Sequence, residues 1–289
     1  MLKKLIFMLC LCVGICSFGI CFVNADTEVE VGDFLLPIAS GVDTFNDDAV
    51  VIDYSNATQG YFMAKATSSD HDTLKLVVSL GENSQNYEVS DTEYQTYPLN
   101  FGDGTYTVQV CEHIEGETYK ILDTLLIDVA LESPMLPYLY PNQIVDYNRD
   151  TLCVTKSFEL VQNLTDDMSR VQAIYTWVDR HISYDWKKAD EVEGKYVLPI
   201  LDDTYTTKKG ICFDQASLLC AMLRVQGIPA KVVTGTSTEN YHAWCEAYVN
   251  GSWIKPHLMF DKNGDAVSDS EYSELNKEYN DRYTVKYTY

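Results

Sequence analysis

Between residues 49 and 130 apolar and polar positions alternate with a period of two, the signature of strands with one buried face. The runs are Ala49–Tyr54, Gly60–Ala66, Leu74–Leu80, Thr105–Cys111 and Lys120–Val129. Gly81-Glu82-Asn83, Asp103-Gly104 and Glu115-Gly116 punctuate them as turns. Short strands at this spacing predict a small antiparallel β-sandwich of the Ig-like kind over residues 26–130. No nucleophile, metal cluster or phosphate loop falls within it, and His71 and His113 stand alone. A spacer or binding module is expected.

Pro134, Pro137 and Pro141 interrupt regular structure within ten residues, so 131–164 reads as a linker and packing segment. The period then becomes helical. Val171, Ile174, Tyr175, Val178 and Ile182 recur on one face, with Thr165 as the expected N-cap and Asp166 and Asp167 in the first turn. Residues 183–209 read as a long polar loop, of the kind that serves as a lid. A helix from Cys212 to Gln226 is apolar nearly all round and therefore central, and Gly227 and Pro229 stop it. Strands follow at Ala230–Thr234 and Tyr241–Val249. Asn250-Gly251 predicts a two-residue hairpin and a returning strand, Ser252–Phe260. Residues 165–289 are thus expected to form an α+β domain.

The first 25 residues change this picture. Lys3 and Lys4 precede a charge-free apolar run, Leu5–Val23, and Val23-Asn24-Ala25 fits a signal-peptidase site. Export to the cell surface or medium is the expectation. The whole chain carries a net charge of −22. Two lysines leave with the leader, so 19 basic and 43 acidic residues remain, net −24. Residues 26–130 hold −17 of this and 131–289 hold −7. Such acidity disfavours nucleic acid as a partner, and it leaves room for a cell-surface partner on the acidic first module. Of nine cysteines, five follow the leader: Cys111, Cys153, Cys212, Cys220 and Cys245. The odd number leaves a free thiol, and the spacings form neither a disulfide framework nor a zinc site.

Chemistry concentrates in Gly-Ile-Cys-Phe-Asp-Gln-Ala at 210–216 and Tyr-His-Ala-Trp at 241–244. A thiol opening a helix, Cys212, is favoured as thiolate by the helix dipole. An imidazole on a nearby strand, His242, can take its proton and return it to a leaving amine. In the hairpin, His257 and Asp261 fall diagonally on the same strand face as His242, so either can orient it, unless a bulge at Pro256 reverses the facing. Gly210 leaves space for a close approach by backbone or substrate. Cys220 and Cys245 are expected in the core, and Asp214 in a structural role. The backbone N–H of Cys212 supplies one oxyanion donor; Tyr205 and Trp186 are the candidates for a second. The stretch Asp261–Asp265 does not complete a calcium loop, since Ala266 and Tyr272 stand where Gly and Glu are required. No metal or cofactor is expected.

These motifs, with Leu-Arg-Val-Gln-Gly-Ile-Pro-Ala at 223–230, Ile182-Ser183-Tyr184-Asp185 and Lys208-Lys209-Gly210, resemble the transglutaminase-like superfamily in its bacterial secreted form. The resemblance covers roughly 165–262. It implies a papain-like α+β core with Cys212 as nucleophile and His242 as base. The family's third residue is normally Asp, often in Asp-Pro-Thr. That tripeptide is missing from this sequence, and ungapped alignment puts His257 at the position. The implied activity is amide-bond chemistry on proteins or wall peptides through a Cys acyl-enzyme, by hydrolysis or transamidation. The alternative is a non-catalytic surface binding or adhesion protein that keeps the fold. Oligomeric state is not encoded in any of these motifs.

Overall fold

The computed structural model describes residues 29–67, 74–89, 92–238, 240–261 and 263–289. The expected leader and His71 lie outside them. The first region is all β, with β1 (Thr44–Asn46), β2 (Val50–Asp53), β3 (Tyr61–Ala66), β4 (Leu74–Leu80), β5 (Asn83–Val89), β6 (Gln95–Pro98), β7 (Gly104–Glu115) and β8 (Thr118–Val129). They form two antiparallel sheets, ordered β1-β2-β3-β6 and β5-β4-β7-β8. Inward residues such as Val50, Ile52, Leu74, Leu76, Val108 and Val110 are buried. Phe62 stacks on Tyr97 at 5.2 Å, and Tyr97 meets Tyr87 of the other sheet edge-on at 5.5 Å. The polar runs of β1, β5 and β6 hid these strands from a hydrophobic pattern.

The proline segment is more ordered than a linker. It carries α1 (Leu152–Val161), whose Ser157 hydroxyl donates to the Met222 carbonyl at 2.6 Å. Next come α2 (Asp167–His181), β9 (Ser183–Tyr184), α3 (Trp186–Glu191), α4 (Leu201–Thr207), β10 (Lys209–Gly210) and α5 (Cys212–Arg224). Asp166, rather than Thr165, caps α2 by accepting from the Ser169 N–H at 2.9 Å. The stretch read as a polar lid is therefore two short helices clasped by a parallel β9–β10 pair. Their short runs are too polar to declare a helical period.

Past α5, the sheet of β11 (Ala230–Thr236), β12 (Tyr241–Val249), β13 (Ser252–Ile254) and β14 (Thr284–Thr288) is ordered β13-β12-β11-β14 and antiparallel throughout. The hairpin has the expected register, Val249 opposite Ser252 and Ala247 opposite Ile254. Asn250 and Gly251 both have positive φ, 53° and 82°, as this turn demands. The returning strand is shorter than expected. Pro256, fixed near helical φ, opens a short helix, α6 (Pro256–Met259). The tyrosine-rich tail forms α7 (Asp269–Arg282), capped by Ser268, and then β14 on the edge of β11.

Arg224 ties these parts together. It is 1 % exposed, and its guanidinium donates to the carbonyls of Ala230, Tyr140 and Tyr289 at 2.8, 2.6 and 3.0 Å. One side chain thus joins the end of α5, the proline segment and the C-terminus, and its three carbonyl partners satisfy a buried charge that would otherwise be costly.

Candidate functional site

Strand alternation divides β12. Ala243, Cys245, Ala247 and Val249 are buried on the side of α5. His242, Trp244 and Glu246 lie on the opposite side, where Trp244 meets Tyr279 of α7 edge-on at 5.2 Å. Lys255 fastens α7 there: its ammonium donates to Asn276 and Asn280 at 2.9 and 3.0 Å and pairs with Glu246 at 3.2 Å. Glu246 also pairs with Lys231 and accepts from the Trp244 indole. These partners outweigh its burial and hold its carboxyl below the usual range. Gly235, opposite His242 in the register, is needed for close packing, because a Cβ there would sit 2.7 Å from the Thr284 carbonyl and 3.0 Å from the Trp244 ring.

Cys212 opens α5 at one end of this strand, half-buried. Its helix start is held from inside. The buried Asp214 carboxylate accepts from the Ile211 N–H at 3.0 Å and pairs with Lys188 of α3 at 2.8 Å. Gly210 has a packing role: a Cβ there would lie 2.8 Å from Asp214 Cβ and 3.1 Å from Thr204. So the close neighbour at Gly210 is a side chain of the helix itself. The Gln215 amide donates to the Gly210 and Ile182 carbonyls, fastening the helix start to β10.

Cys212 and His242 line one cavity of ≈ 180 Å³ together with Asp179, Gln215, Trp244 and His257. The thiol pKa differs in sign from the helix-dipole expectation. Burial pushes Cys212 up, although backbone N–H groups of Ala243 and Phe213 oppose this. At neutral pH Cys212 is therefore a thiol that needs a base. Burial, helped by the charge of Arg282, pushes His242 down, so its imidazole is neutral and able to accept a proton.

The two candidate orienters of His242 part company. His257, on α6, shares the cavity. Burial first, then the charges of His242 and Lys255, lower its pKa to about 4. Its ring lies 5.0 Å from that of Tyr279, which is 6.4 Å from His242. His257 Nε2 and the Tyr279 hydroxyl are both buried without a hydrogen-bond partner. Asp261 instead closes its own exposed turn, accepting from the N–H groups of Asn263 and Asp265 at 2.8 and 2.9 Å. The short helix at Pro256 ends the strand geometry that would have aimed Asp261 at His242.

Neither candidate for a second oxyanion donor lines this cavity. Tyr205 is stacked 5.6 Å from Trp177 with the Lys208 ammonium 3.6 Å over its ring. Trp186 is 75 % exposed beside Tyr184. Sequence reasoning missed Tyr279, whose ring neighbours those of both His242 and His257. Tyr279 comes from the tail and carried no sequence signal.

An α/β core with a cysteine at a helix start and a histidine on the adjacent strand, both on one cavity, defines a candidate thiol-enzyme scaffold. Residues 155–256 match the family model of the transglutaminase-like superfamily. Mouse kyphoscoliosis peptidase is 31% identical over 137 residues, 43% of this chain and 20% of the mouse protein; the human protein matches to the same extent. The chain thus spans about one fifth of the length of these relatives. Among solved structures, a candidate cysteine protease from Cytophaga hutchinsonii shares 19% identity over 86% of this chain and 74% of that one, with a TM-score of 0.41. Red sea bream transglutaminase shares 13% over 74% and 53%, with a TM-score of 0.31.

Proposed function

We propose that the protein is an exported thiol enzyme acting on amide bonds of proteins or wall peptides. The observation that carries this reading is the shared cavity of Cys212 and His242 within the stretch that matches the transglutaminase-like superfamily. His242 takes the thiol proton as the sulfur attacks the substrate carbonyl. The helix-start N–H groups face the developing oxyanion. The intermediate collapses to a thioester, and His242 returns the proton to the departing amine. Water or a second amine then takes the acyl group. His257, neutral at physiological pH and on the same cavity, takes the place of the usual carboxylate beside His242, so the ring is oriented without charge.

The all-β region serves as a binding module in this reading, and its build supports the Ig-like assignment. Its two sheets have a Greek-key strand order. The Tyr106 hydroxyl at the start of β7 accepts from the Phe101 N–H at 2.7 Å, as in a tyrosine corner. A second reading, a non-catalytic surface binding protein, is favoured by one observation: the Asp261 carboxylate is spent in its own turn.

The test offers a panel of fluorogenic peptide amides and a glutamine-rich protein with a fluorescent primary amine, using the wild-type chain and Cys212→Ala. Release or incorporation that disappears in Cys212→Ala supports the enzyme, and the product identifies hydrolysis or transfer. Equal background in both, across the panel, favours the binding reading.

A further inference from the structure

Two other cysteines meet where the catalytic helix crosses the catalytic strand. Cys220 lies on α5, eight residues after Cys212, and Cys245 on β12, three after His242. Their sulfurs are 3.1 Å apart, and the residues are 0 % and 3 % exposed. Both are thiols in the structure. A disulfide needs a separation of about 2.05 Å, so bonding asks for a closure of roughly 1 Å between side chains already facing each other. Cys111 is on β7 and Cys153 on α1, so neither belongs to this crossing.

We propose that Cys220 and Cys245 form a disulfide when the chain folds in an oxidising compartment, covalently joining the nucleophile's helix to the base's strand. The oxidant is a disulfide-bearing oxidoreductase or a small-molecule disulfide. One cysteine thiolate attacks its S–S bond, giving a mixed disulfide and releasing one thiolate. The second cysteine thiolate displaces the other sulfur. Two electrons and two protons pass from the cysteines to the oxidant, which leaves as dithiol.

Burial sets the timing. The native interior excludes reagents and disfavours the attacking thiolate, so the exchange takes place before α5 docks on the sheet. The same burial shields the finished bond from reductant until the domain unfolds. The bond encloses the 24 residues between them, a loop length at which a disulfide stabilises substantially. It leaves Cys212 free, with Cys111 and Cys153.

The test secretes the full chain into the oxidising periplasm of a bacterial host, which makes it independent of the chain's own export and catalysis. The protein is unfolded in iodoacetamide without reductant, digested with trypsin and read by mass spectrometry. The 210–224 peptide holds both Cys212 and Cys220, and the 232–262 peptide, which trypsin leaves uncut at Lys255-Pro256, holds Cys245, so fragment ions place the bridge. The expected result is a linked pair with the bridge on Cys220 and alkylated Cys212. It should survive dithiothreitol under native conditions and open once denaturant is added. The Cys220→Ala/Cys245→Ala variant should melt roughly 5–15 °C below the oxidised wild type. Quantitative alkylation of both Cys220 and Cys245 in the secreted wild type overturns the proposal.

Discussion

On one side of β12, Ala243, Cys245 and Ala247 are closed over by α5; on the other, His242 and Trp244 meet the Tyr279 ring of α7, and Glu246 pairs with Lys255, which holds α7 in place. The first side is held by apolar burial and close packing. The second is held by rings and by the Lys231–Glu246–Lys255 ion pairs. The same backbone alternation that makes a strand two-sided therefore assigns stability to one face and titratable groups to the other. Cys212 stands at the end of the strand where the two sides reach a common cavity. The polar tail contributes to this site: Tyr279 of α7 sets its ring 6.4 Å from that of His242 and 5.0 Å from that of His257, and burial lowers the pKa of both histidines.

The contrast is tested most severely at the nucleophile. Cys212→Ala should reduce amide turnover by on the order of 10⁴-fold or more, to background, with little change in melting temperature. Next comes the orienter. His257→Ala should slow turnover by on the order of 10²-fold, with His257→Asp recovering part of it and shifting the acid limb of the pH profile. Asp261→Asn, assayed alongside, should stay within about 2-fold, since its partners are its own turn. Equal losses in Asp261→Asn and His257→Ala would erase the distinction drawn between them.

Removing Lys255 attacks the polar face alone. Lys255→Met leaves Glu246 paired only with Lys231 and strips Asn276 and Asn280 of their shared donor. A loss of about 2 kcal/mol in denaturant unfolding is expected, with faster amide exchange in α7 than in α5. The smallest effect concerns pH. His257 is about 4 when folded against an ordinary value of 6.5. The folded state therefore binds fewer protons in this window, and stability is fully present above about pH 6.5 and lost as pH falls towards about 4. His257→Gln should flatten that slope in thermal melts by a few degrees, with no change at pH 8.

How much of this was legible depended on whether a residue's partners were local. The α5 helix announced itself through its apolar run and its Gly227-Pro229 stop, and the hairpin through Asn250-Gly251. Cys212 and His242 stood in recognisable motifs. The end of the returning strand was not readable, because Pro256 fits both a strand irregularity and the first turn of a helix. That ambiguity decided the difference between His257 and Asp261. The tail was harder still. β14 is mostly exposed, with the sequence TVKYT, and it pairs with a strand some fifty residues earlier. Only tertiary contact specifies it, and with it the approach of Tyr279 to the site.

The central claim is that His242 acts as base for Cys212. Its most direct test is the rate at which a small thiol electrophile labels each cysteine at about pH 6, followed by mass spectrometry in the wild type and in His242→Ala. The account predicts that Cys212 labels much faster than buried Cys111 and Cys153, and that His242→Ala slows Cys212 at least about 10-fold while leaving the others unchanged. An accessible Cys212 whose rate is the same with and without His242 would contradict it.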